Sequence, residues 1–536
     1  MVNSTPEEPR EPEAPEDFRE ANGLQGSGAP GETRAYDLAV VGAGPAGLAG
    51  AVTAAELGLS VALLDTAAQP GGQFYRHPVP ALGAVRPEAL HHDWSPFADL
   101  RRRLTRSDVT HLPGHHVWTI VPARDSGTGP WDVHAVTGAD GGGERPVRIR
   151  ARAVLLATGA QERQLPFPGW TLPGVVGAGG AQAMLKSGLV LPGRRVVVAG
   201  SGPLLLAVAA SLAAAGARVP AVIEASGYLG YARHPRVLAA NAHKSVEAAL
   251  HGAALLRHRV RLRARSAVTR VHGTERVEAV TVSRLDRDWR PVPGTDRRIA
   301  CDALAVGHGL LPQLELATGL GCATRRTADG AYALELDPYQ ETSVPGIWSA
   351  GEAGGIGGVQ LARTEGELAG TAIAARLSAR PVPVGGSVRA LRRRRDRMRA
   401  FAEVMAAAHA PGPGWTRWLD DATDVCRCEE VTAGRVREAV DDYGARDART
   451  VKLLTRAGMG WCQGRVCGPA VTCLAGQAEA GRLPASPERR PLAVPVPLGT
   501  LAALGDAGTA PGNGTESPDR ASGGIAGSLD GAGPGS

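Results

Sequence analysis

The sequence predicts an α/β fold built from two strand–turn–helix units of the parallel-sheet type, followed by a small helical module. Three observations indicate this fold: β-branched segments at 36–41 and 194–199 each run into a glycine-rich turn, and a cysteine pattern spans 426–467. At 536 residues the chain is long enough for about three domains of ordinary size. Its 43% hydrophobic and 21% charged residues are typical of a globular protein.

Composition and charge argue against two classes of protein. The formal net charge of +6 is small for this length, and aromatic residues make up only 4%, so nucleic-acid binding is not expected. The uncharged stretches 38–55 and 196–217 each contain a Gly-x-Gly-Pro break. A strand, a tight turn and a helix need that break, whereas a membrane helix does not. We therefore expect no membrane span and a cytoplasmic protein.

The first unit has the features of a dinucleotide-binding site. Strand 36–41 enters a Gly-x-Gly-x-x-Gly motif, and the strand after the next helix ends in an acid 23 residues beyond the first glycine. The residues concerned are Gly42, Gly44, Pro45, Ala46, Gly47 and Asp65. The glycines permit a tight turn and let the backbone approach a pyrophosphate at the helix N-terminus. The acid would accept hydrogen bonds from a ribose, which favours a nucleotide without a 2′-phosphate.

Three further segments indicate that this nucleotide is FAD. They are 70–73, 155–160 and 342–352, with the candidate binding residues Gly72, Gln73, Thr158, Gly159, Gly351 and Glu352. The first would bring backbone close to a flavin ring, the second is a strand ending in a small-residue turn, and the third delivers an acid. The chain here resembles the flavoproteins with two dinucleotide-binding domains, which include glutathione and thioredoxin reductases. In that family the last acid, more often Asp, binds the ribityl chain of FAD, and Glu352 stands in its place.

The second unit repeats the first and is interpreted as an inserted Rossmann-like domain of the NAD type. Strand 194–199 enters a Gly-x-Gly-Pro turn, and the strand after the next helix ends in an acid; the residues concerned are Gly200, Gly202 and Glu224. The acid stands where it would favour NAD over NADP. Leu205 replaces the third glycine, so the motif is incomplete. Bound NAD or another adenine nucleotide, and an empty structural domain, both stay open.

Four of the seven cysteines form the pattern C-x-C, 33 residues, C-x4-C: Cys426, Cys428, Cys462 and Cys467. Two pairs of thiolates suit a [2Fe-2S] cluster, in which each iron takes two cysteine ligands. Structural zinc sites usually have C-x2-4-C pairs at both ends, so the C-x-C pair counts against zinc, the alternative metal. Disulfides fit poorly because the remaining cysteines are scattered, the total is odd and no secretory signal is evident.

The segments CRCEEVT at 426–432 and GMGWCQGRVCGP at 458–469 resemble the bacterioferritin-associated-ferredoxin-like [2Fe-2S] domain, a small helical module. Its second pair is commonly C-x2-C. The C-x4-C spacing here is similar to that of a subgroup: the FAD and [2Fe-2S] subunits of opine, hydroxyproline and proline dehydrogenases and of hydrogen cyanide synthase. The resemblance implies a hetero-oligomer with an amino-acid-oxidising flavoprotein subunit and a small ferredoxin-like subunit.

These observations predict a FAD-dependent oxidoreductase that is the electron-transfer subunit of an amino-acid or opine dehydrogenase complex. FAD takes up two electrons together and a [2Fe-2S] cluster carries one at a time. We identify no acid–base catalyst, because electron transfer needs none. Two alternatives stay open: a stand-alone NAD(P)H-dependent flavoprotein reductase, and a non-enzymatic cluster-bearing docking subunit. Residues 161–163 could line the flavin pocket but are expected to form a solvated loop, and the arginines of 392–399 are expected to be the solvated face of a helix.

The predicted domains are an unstructured acidic tail at 1–34, a FAD-binding domain in two parts at 35–164 and 306–380, the second Rossmann-like domain at 165–305, a helical connector at 381–423, the [2Fe-2S] domain at 424–483 and an unstructured tail at 484–536. Both tails are expected to bury too little apolar surface to offset the entropy of ordering. Within the [2Fe-2S] domain, Thr432 is predicted to cap a helix at 433–443, and a second helix is predicted at 448–456.

Overall fold

The structure is a computed structural model that describes residues 34–91, 93–123, 130–138, 144–380, 386–476 and 492–506. These residues fall into two compact units, 34–496 and 497–506. The predicted acidic tail, apart from its last residue, lies outside the described residues, as does most of the predicted C-terminal tail.

The first domain begins with a sheet and two helices. Its elements are β1 (Arg34–Val41), α1 (Pro45–Glu56), β2 (Val61–Leu64), α2 (Ser95–Arg106), β3 (Thr110–Leu112), β4 (His116–Pro122), β5 (Trp131–Thr137), β6 (Arg145–Leu156) and the short β7 (Ala160–Glu162). The sheet order is β3-β2-β1-β6-β5-β4. Strands β3, β2, β1 and β6 are parallel, and β5 and β4 add an antiparallel edge.

The second domain follows the same plan. Its elements are β8 (Val175–Gly177), α3 (Ala178–Gly188), β9 (Val196–Gly200), α4 (Leu204–Ala214), β10 (Ala221–Glu224), α5 (Pro235–Ala240), α6 (Ala242–Arg257), β11 (Arg261–Ala264), β12 (Ser266–His272), β13 (Ala279–Arg284), β14 (Arg297–Ala300) and β15 (Ala303–Gly307). A parallel sheet has the order β11-β10-β9-β15-β8, and β12, β13 and β14 form a separate antiparallel sheet.

The chain then returns to the first domain and ends in a small helical module. The returning elements are β16 (Leu310–Pro312), α7 (Glu315–Gly319), β17 (Thr324–Arg326), β18 (Tyr332–Leu334), β19 (Ile347–Ser349), α8 (Val359–Leu377) and α9 (Gly386–Ala408). Strand β19 completes the first sheet beside β6. The module, which we call the cysteine module, contains β20 (Asp424–Cys426), β21 (Val431–Thr432), α10 (Ala433–Asp441), α11 (Ala448–Thr455) and α12 (Gly468–Leu474).

The central strands of the first sheet are buried on both faces. Leu38 and Val40 of β1 belong to the apolar core that also contains residues of α1 and α8. Their neighbours Ala39 and Val41 belong to a second core on the opposite side of the sheet. This burial explains why the strand reads as an uninterrupted apolar run in the sequence.

The cysteine module packs against the second domain through tryptophans. The Trp170 indole N–H donates to the Asp424 carbonyl oxygen over 2.7 Å. Trp418, which precedes the module, stacks on Trp289 with ring centroids 6.0 Å apart, and its N–H donates to the Trp289 carbonyl oxygen over 3.0 Å. The module and the second domain therefore share one apolar core.

The prediction that 484–536 is unstructured is wrong for the part that the structure describes. Ala493 is buried in a core of the first domain, and its N–H donates to the Trp118 carbonyl oxygen over 2.8 Å. In the other unit, Leu498–Asp506 forms helix α13. Short apolar segments within this stretch, which is rich in small residues, are therefore enough to form a buried contact and a helix.

Candidate functional site

The turn after β1 leaves no room for a side chain at two of its three glycines, Gly42 and Gly47. Gly42 has a φ of +106°, and a Cβ there would lie 2.4 Å from the Ala157 carbonyl oxygen. A Cβ on Gly47 would lie 1.8 Å from the Gly42 carbonyl oxygen. Gly44 is the N-cap of α1, with Pro45 and Ala46 at the first helical positions. Backbone N–H groups at this helix end are therefore free of side-chain cover, as a pyrophosphate requires.

Segment 70–73 lies directly on this turn. A Cβ on Gly72 would come within 2.8 Å of the Gly44 Cα atom, and the Gly71 N–H donates to the Ala43 carbonyl oxygen over 2.8 Å. Gln73, by contrast, is exposed. The turn after β1 and segment 70–73 together form a cradle of backbone without side chains. Because side chains would fill this space, the cradle fits a dinucleotide.

The acid at the end of β2 faces the same cradle. Asp65 accepts a hydrogen bond from the Ala43 N–H and another from the Ala67 N–H over 2.7 Å. It stays half-buried. Its carboxylate therefore lies beside the glycine turn and keeps an open side for a ribose hydroxyl.

The turn after β6 is linked to the chain that returns from the second domain. The Thr158 hydroxyl donates to the Gln313 carbonyl oxygen over 2.7 Å. The Gln313 N–H donates to the Gly159 carbonyl oxygen over 3.0 Å. Thr158 and Gly159 are thus held beside the start of α7, on the carboxyl edge of the first sheet.

Glu352 lies at the carboxyl end of β19, where the sequence predicted an acid. Its two carboxylate oxygens accept the N–H groups of Gly357 and Gly358, over 2.7 and 3.0 Å, just before α8. The residue keeps some exposed surface, but its carboxyl group is surrounded by protein, and this burial raises its pKa. Glu352 therefore braces the start of α8 in addition to any contact with a nucleotide.

A buried ion pair that the sequence analysis missed fixes the neighbouring Gly351. Glu365 of α8, fully buried, accepts the Gly351 N–H over 3.0 Å. Arg399 of α9 donates to both Glu365 oxygens over 2.8 Å each and to the Gly351 carbonyl oxygen over 3.1 Å. The prediction that the arginines of 392–399 are a solvated face is wrong for Arg399 and for Arg395, which lies 3.8 Å from Glu365.

The second glycine turn shares only part of the backbone design of the first, because Gly202 has a φ of +114° whereas Gly44 has a φ of −73°. Gly200 has a φ of +132°, and a Cβ there would lie 1.7 Å from the Gly307 carbonyl oxygen. Glu224 accepts the Gly202 N–H over 3.0 Å and the Ser226 N–H over 2.9 Å. This matches the pair of hydrogen bonds that Asp65 accepts in the first domain.

The two acids differ in how they are covered. Glu224 is completely buried, whereas Asp65 keeps exposed surface. His409, just after α9, places its Nδ1 atom 3.5 Å from the Glu224 carboxylate, and its Nε2 atom lies 3.0 Å from the Tyr231 hydroxyl. In this arrangement a ribose cannot reach Glu224 unless His409 moves.

A cavity of about 370 Å³ is lined by the second glycine turn, by the segment at the end of β7 and by α9. Glu162 and Arg163 line it, so the prediction that 161–163 is a solvated loop is wrong. Glu162 accepts the Gly179 N–H over 2.7 Å at the start of α3, and burial raises its pKa. Arg163 forms a buried ion pair with Asp329 over 2.7 Å. Burial lowers the pKa of His308, another lining residue, to about 3.

The four cysteines of the motif come together in the cysteine module. The Cys467 thiol lies next to those of Cys426 and Cys462, and Cys462 in turn lies next to Cys428. No group of three His, Cys, Asp or Glu side chains among the described residues is arranged to hold a single ion. The thiols instead lie in a chain of neighbours, and two pairs of thiolates are what a two-iron cluster needs.

The surroundings favour the thiolate at two of these four cysteines, Cys426 and Cys462, whereas the neighbouring Cys426 and Cys462 thiols raise the pKa of Cys467 and the pKa of Cys428 is also raised. The hydrogen bond with Cys467 lowers the pKa of Cys462 to about 4 and that of Cys426 to about 6. The Gly458 N–H donates to the Cys426 sulfur over 3.4 Å. A Cβ on Gly460 would lie 2.3 Å from the Cys428 Cβ, so glycine is required beside this cysteine. Backbone N–H groups aimed at sulfur stabilise the negative charge of a bound cluster.

The helices that support the thiols were predicted from the sequence. Thr432 caps α10, accepting the Arg435 N–H, and α11 spans Ala448–Thr455. Cys467 is the N-cap of α12. Cys426 and Cys467 are buried, whereas Cys428 is exposed. One end of the thiol set therefore faces solvent.

Two family models match this chain. The pyridine nucleotide-disulphide oxidoreductase model covers residues 36–366, and the BFD-like [2Fe-2S] binding domain covers residues 425–474. Fold and site together define a flavoprotein oxidoreductase whose cofactors are FAD and a [2Fe-2S] cluster. The chain belongs to the pyridine nucleotide-disulphide oxidoreductase family. The predicted fold class and these two cofactors are confirmed.

Relatives match over most of their length. Hydrogen cyanide synthase subunit HcnB of Pseudomonas aeruginosa is 34% identical over 80% of this chain and 90% of that protein. In Rhizobium meliloti, one of the opine oxidase subunits is 35% identical over 86% of this chain and 97% of that protein. The crystal structure of L-proline dehydrogenase from P. horikoshii has the same fold, with a TM-score of 0.61 at 21% identity over 88% of this chain and 80% of that one. The predicted group is confirmed.

Within the described ranges, no helix has both the length and the apolar composition that crossing a membrane would require.

Proposed function

We propose that this chain is the electron-transfer subunit of a complex that oxidises C–N bonds in amino acids or opines. The observation that carries the proposal is that one chain holds a glycine cradle for FAD and a four-thiol centre for a [2Fe-2S] cluster. Bound FAD would take up two electrons together, and the cluster would carry them one at a time. The relatives named as subunits of hydrogen cyanide synthase and opine oxidase support the substrate class.

The residues of the first domain divide the binding of FAD among them. The backbone of Gly42, Gly44, Pro45, Ala46 and Gly47 receives the pyrophosphate at the N-terminus of α1. Asp65 accepts hydrogen bonds from the ribose, and the segments with Gly72, Gln73, Thr158, Gly159, Gly351 and Glu352 surround the flavin and the ribityl chain. No acid–base catalyst is assigned.

The cysteine module holds the cluster and provides the way out for electrons. Cys426, Cys428, Cys462 and Cys467 are the ligands. Cys428 is exposed, and Trp461, next to Cys462, is 84% exposed. An external one-electron acceptor could therefore approach this side of the module.

A stand-alone NAD(P)H-dependent reductase is the second candidate. Gly200, Gly202 and Glu224 have the backbone design of an NAD or adenine-nucleotide site, but His409 covers the acid. The position of His409 favours the function of electron-transfer subunit over that of NAD(P)H reductase, because the ribose of NADH would have to displace His409 to reach Glu224. The purified chain should therefore oxidise NADH slowly with an artificial acceptor. Rapid NADH oxidation by the chain alone would favour the second candidate.

The proposed complex contains an amino-acid-oxidising flavoprotein subunit and a small ferredoxin-like subunit. The names of the relatives as subunits support a hetero-oligomer. The test is co-purification with products of neighbouring reading frames, followed by anaerobic addition of amino acids or opines. Substrate should bleach the FAD of this chain only when the partner is present. Bleaching of the partner's flavin alone would leave this chain as a non-enzymatic docking subunit. The cytoplasmic location stays a prediction.

A further inference from the structure

Arg465 lies on the loop between two of the cysteines, Cys462 and Cys467. Its N–H donates to the Cys462 carbonyl oxygen over 3.0 Å, and its guanidinium Nη1 atom donates to the same oxygen over 3.4 Å. The Gly468 N–H closes the loop by donating to the Gly464 carbonyl oxygen over 2.7 Å. A shift of Arg465 would therefore also shift the segment that carries Cys462 and Cys467.

The side chain of Arg465 crosses from the cysteine module to the first domain. Its Nε atom forms an ion pair with Glu315 at 2.7 Å, and the two side chains are 20% and 7% exposed. Its Nη2 atom donates to the Ala493 carbonyl oxygen, in the segment buried against the first domain. A charge-assisted hydrogen bond shielded from water is among the stronger polar contacts in proteins.

Two partners of Arg465, Glu315 and Gln161, lie close in the chain to the predicted flavin-site residues Thr158 and Gly159 or to their hydrogen-bond partner Gln313. Glu315 begins α7, two residues after Gln313, which is hydrogen-bonded to Thr158 and Gly159. Gln161, on β7, donates to the Arg465 carbonyl oxygen over 3.3 Å. Side chain and backbone of Arg465 are thus both tied to segments that flank the turn after β6.

Two other arginines of the cysteine module form their ion pairs within the module. Arg435 pairs with Glu438 over 2.7 Å on α10, and Arg456 pairs with Glu429 over 2.8 Å. Both arginines are more than half exposed, at 63% and 69%. Their ion pairs lie inside the module and do not reach the first domain.

From these contacts we propose that Arg465 is a positioning residue for electron transfer, holding the Cys462–Cys467 loop against the turn at Thr158 and Gly159. The inference rests on the proposed function. Reduced FAD, held by the first domain, would supply two electrons one at a time and release its two protons to water. The four cysteines would hold the cluster that takes up each electron and passes it to an external one-electron acceptor before receiving the next.

The experiment compares the full-length chain, loaded with FAD and iron, with Arg465→Ala, Arg465→Lys and Glu315→Gln. After a brief photochemical reduction of the flavin without oxygen, the rate of electron arrival at the cluster is followed by its absorption. The rate should fall on the order of tenfold or more in Arg465→Ala, because small displacements of reacting groups are costly. Arg465→Lys should recover only part of it, since an ammonium lacks the planar fork. Arg435→Ala, the matched control, should transfer at the wild-type rate.

Cofactor content and the EPR spectrum of the cluster are measured in the same samples. If Arg465→Ala does not retain its cluster, Glu315→Gln, which leaves the cysteine loop intact, decides the question. A wild-type rate in a fully loaded Arg465→Ala or Glu315→Gln protein overturns the role of Arg465. If the wild-type chain itself shows no transfer from flavin to cluster, the proposed function fails instead.

Discussion

Single glycines determine whether the first domain can bind a nucleotide. Gly42→Ala would place a Cβ 2.4 Å from a carbonyl oxygen at a φ of +106°, so we expect the variant to lose FAD while retaining iron. Gly58→Ala is the matched control, because Gly58 also has a positive φ, +90°, but a Cβ there would meet nothing within 4 Å. The control should retain FAD. FAD and iron are measured by absorption and metal assay. If Gly42→Ala retained as much FAD as Gly58→Ala, the assignment of the glycine cradle as the FAD site would be contradicted.

The cysteine ligands can be tested one at a time. Cys428→Ser should lose the [2Fe-2S] cluster and its EPR signal but retain FAD, because the thiol set and the glycine cradle are built from separate segments. Cys473→Ser is the control, since Cys473 lies on α12 outside the set of contacting thiols. Retention of the cluster in Cys428→Ser, or its loss in Cys473→Ser, would refute the ligand assignment.

Lys186 makes stability depend on pH. Its ammonium donates to the Phe74 carbonyl oxygen over 3.0 Å, and burial lowers its pKa from 10.5 to about 8. The unfolded chain binds this proton more tightly, so the contribution of Lys186 to the free energy of unfolding rises between pH 8 and 10.5. Lys186→Met should remove this slope and stabilise the protein at neutral pH by up to about 3 kcal/mol. Parallel pH profiles of the melting temperature in both proteins would contradict this.

Among the elements, the two helices of the cysteine module were predicted from local signals to within two residues at each end. The helices predicted at 433–443 and 448–456 are observed at Ala433–Asp441 and Ala448–Thr455, because caps such as Thr432 act through neighbouring residues. The role of α9 was missed. Arg399 donates to both carboxylate oxygens of Glu365, 34 residues away on α8, and no local pattern shows that contact.

The buried ion pair between Glu365 of α8 and Arg399 of α9 can be tested by mutation. Arg399→Ala would leave the fully buried Glu365 without its main partner. Loss of one member of a buried pair costs about 3–5 kcal/mol, so we expect a lower unfolding midpoint and weaker FAD retention. Arg393→Ala, on the exposed side of the same helix, should change stability by less than about 0.5 kcal/mol. Similar losses in both variants, by thermal melting and flavin release, would show that the pair contributes little.

At the scale of the whole molecule, the sequence predicted which cofactor sites the chain contains but not how they are arranged. The first glycine turn and the cysteine pattern are short-range motifs, and both indicated their chemistry. The covering of Glu224 by His409 and the contact of Arg465 with Glu315 join residues more than a hundred positions apart. Such contacts depend on how domains pack, which motif spacing does not encode.

We expect one chain to store the two electrons of FAD beside a one-electron cluster. An anaerobic reductive titration of the purified chain, with flavin and iron assayed, measures this capacity. We expect uptake of about three electrons per chain, two by FAD and one by the [2Fe-2S] cluster. The EPR signal of a reduced [2Fe-2S] centre should appear during the titration. Uptake of only about two electrons, with zinc in place of iron and no EPR signal from a cluster, would contradict the account.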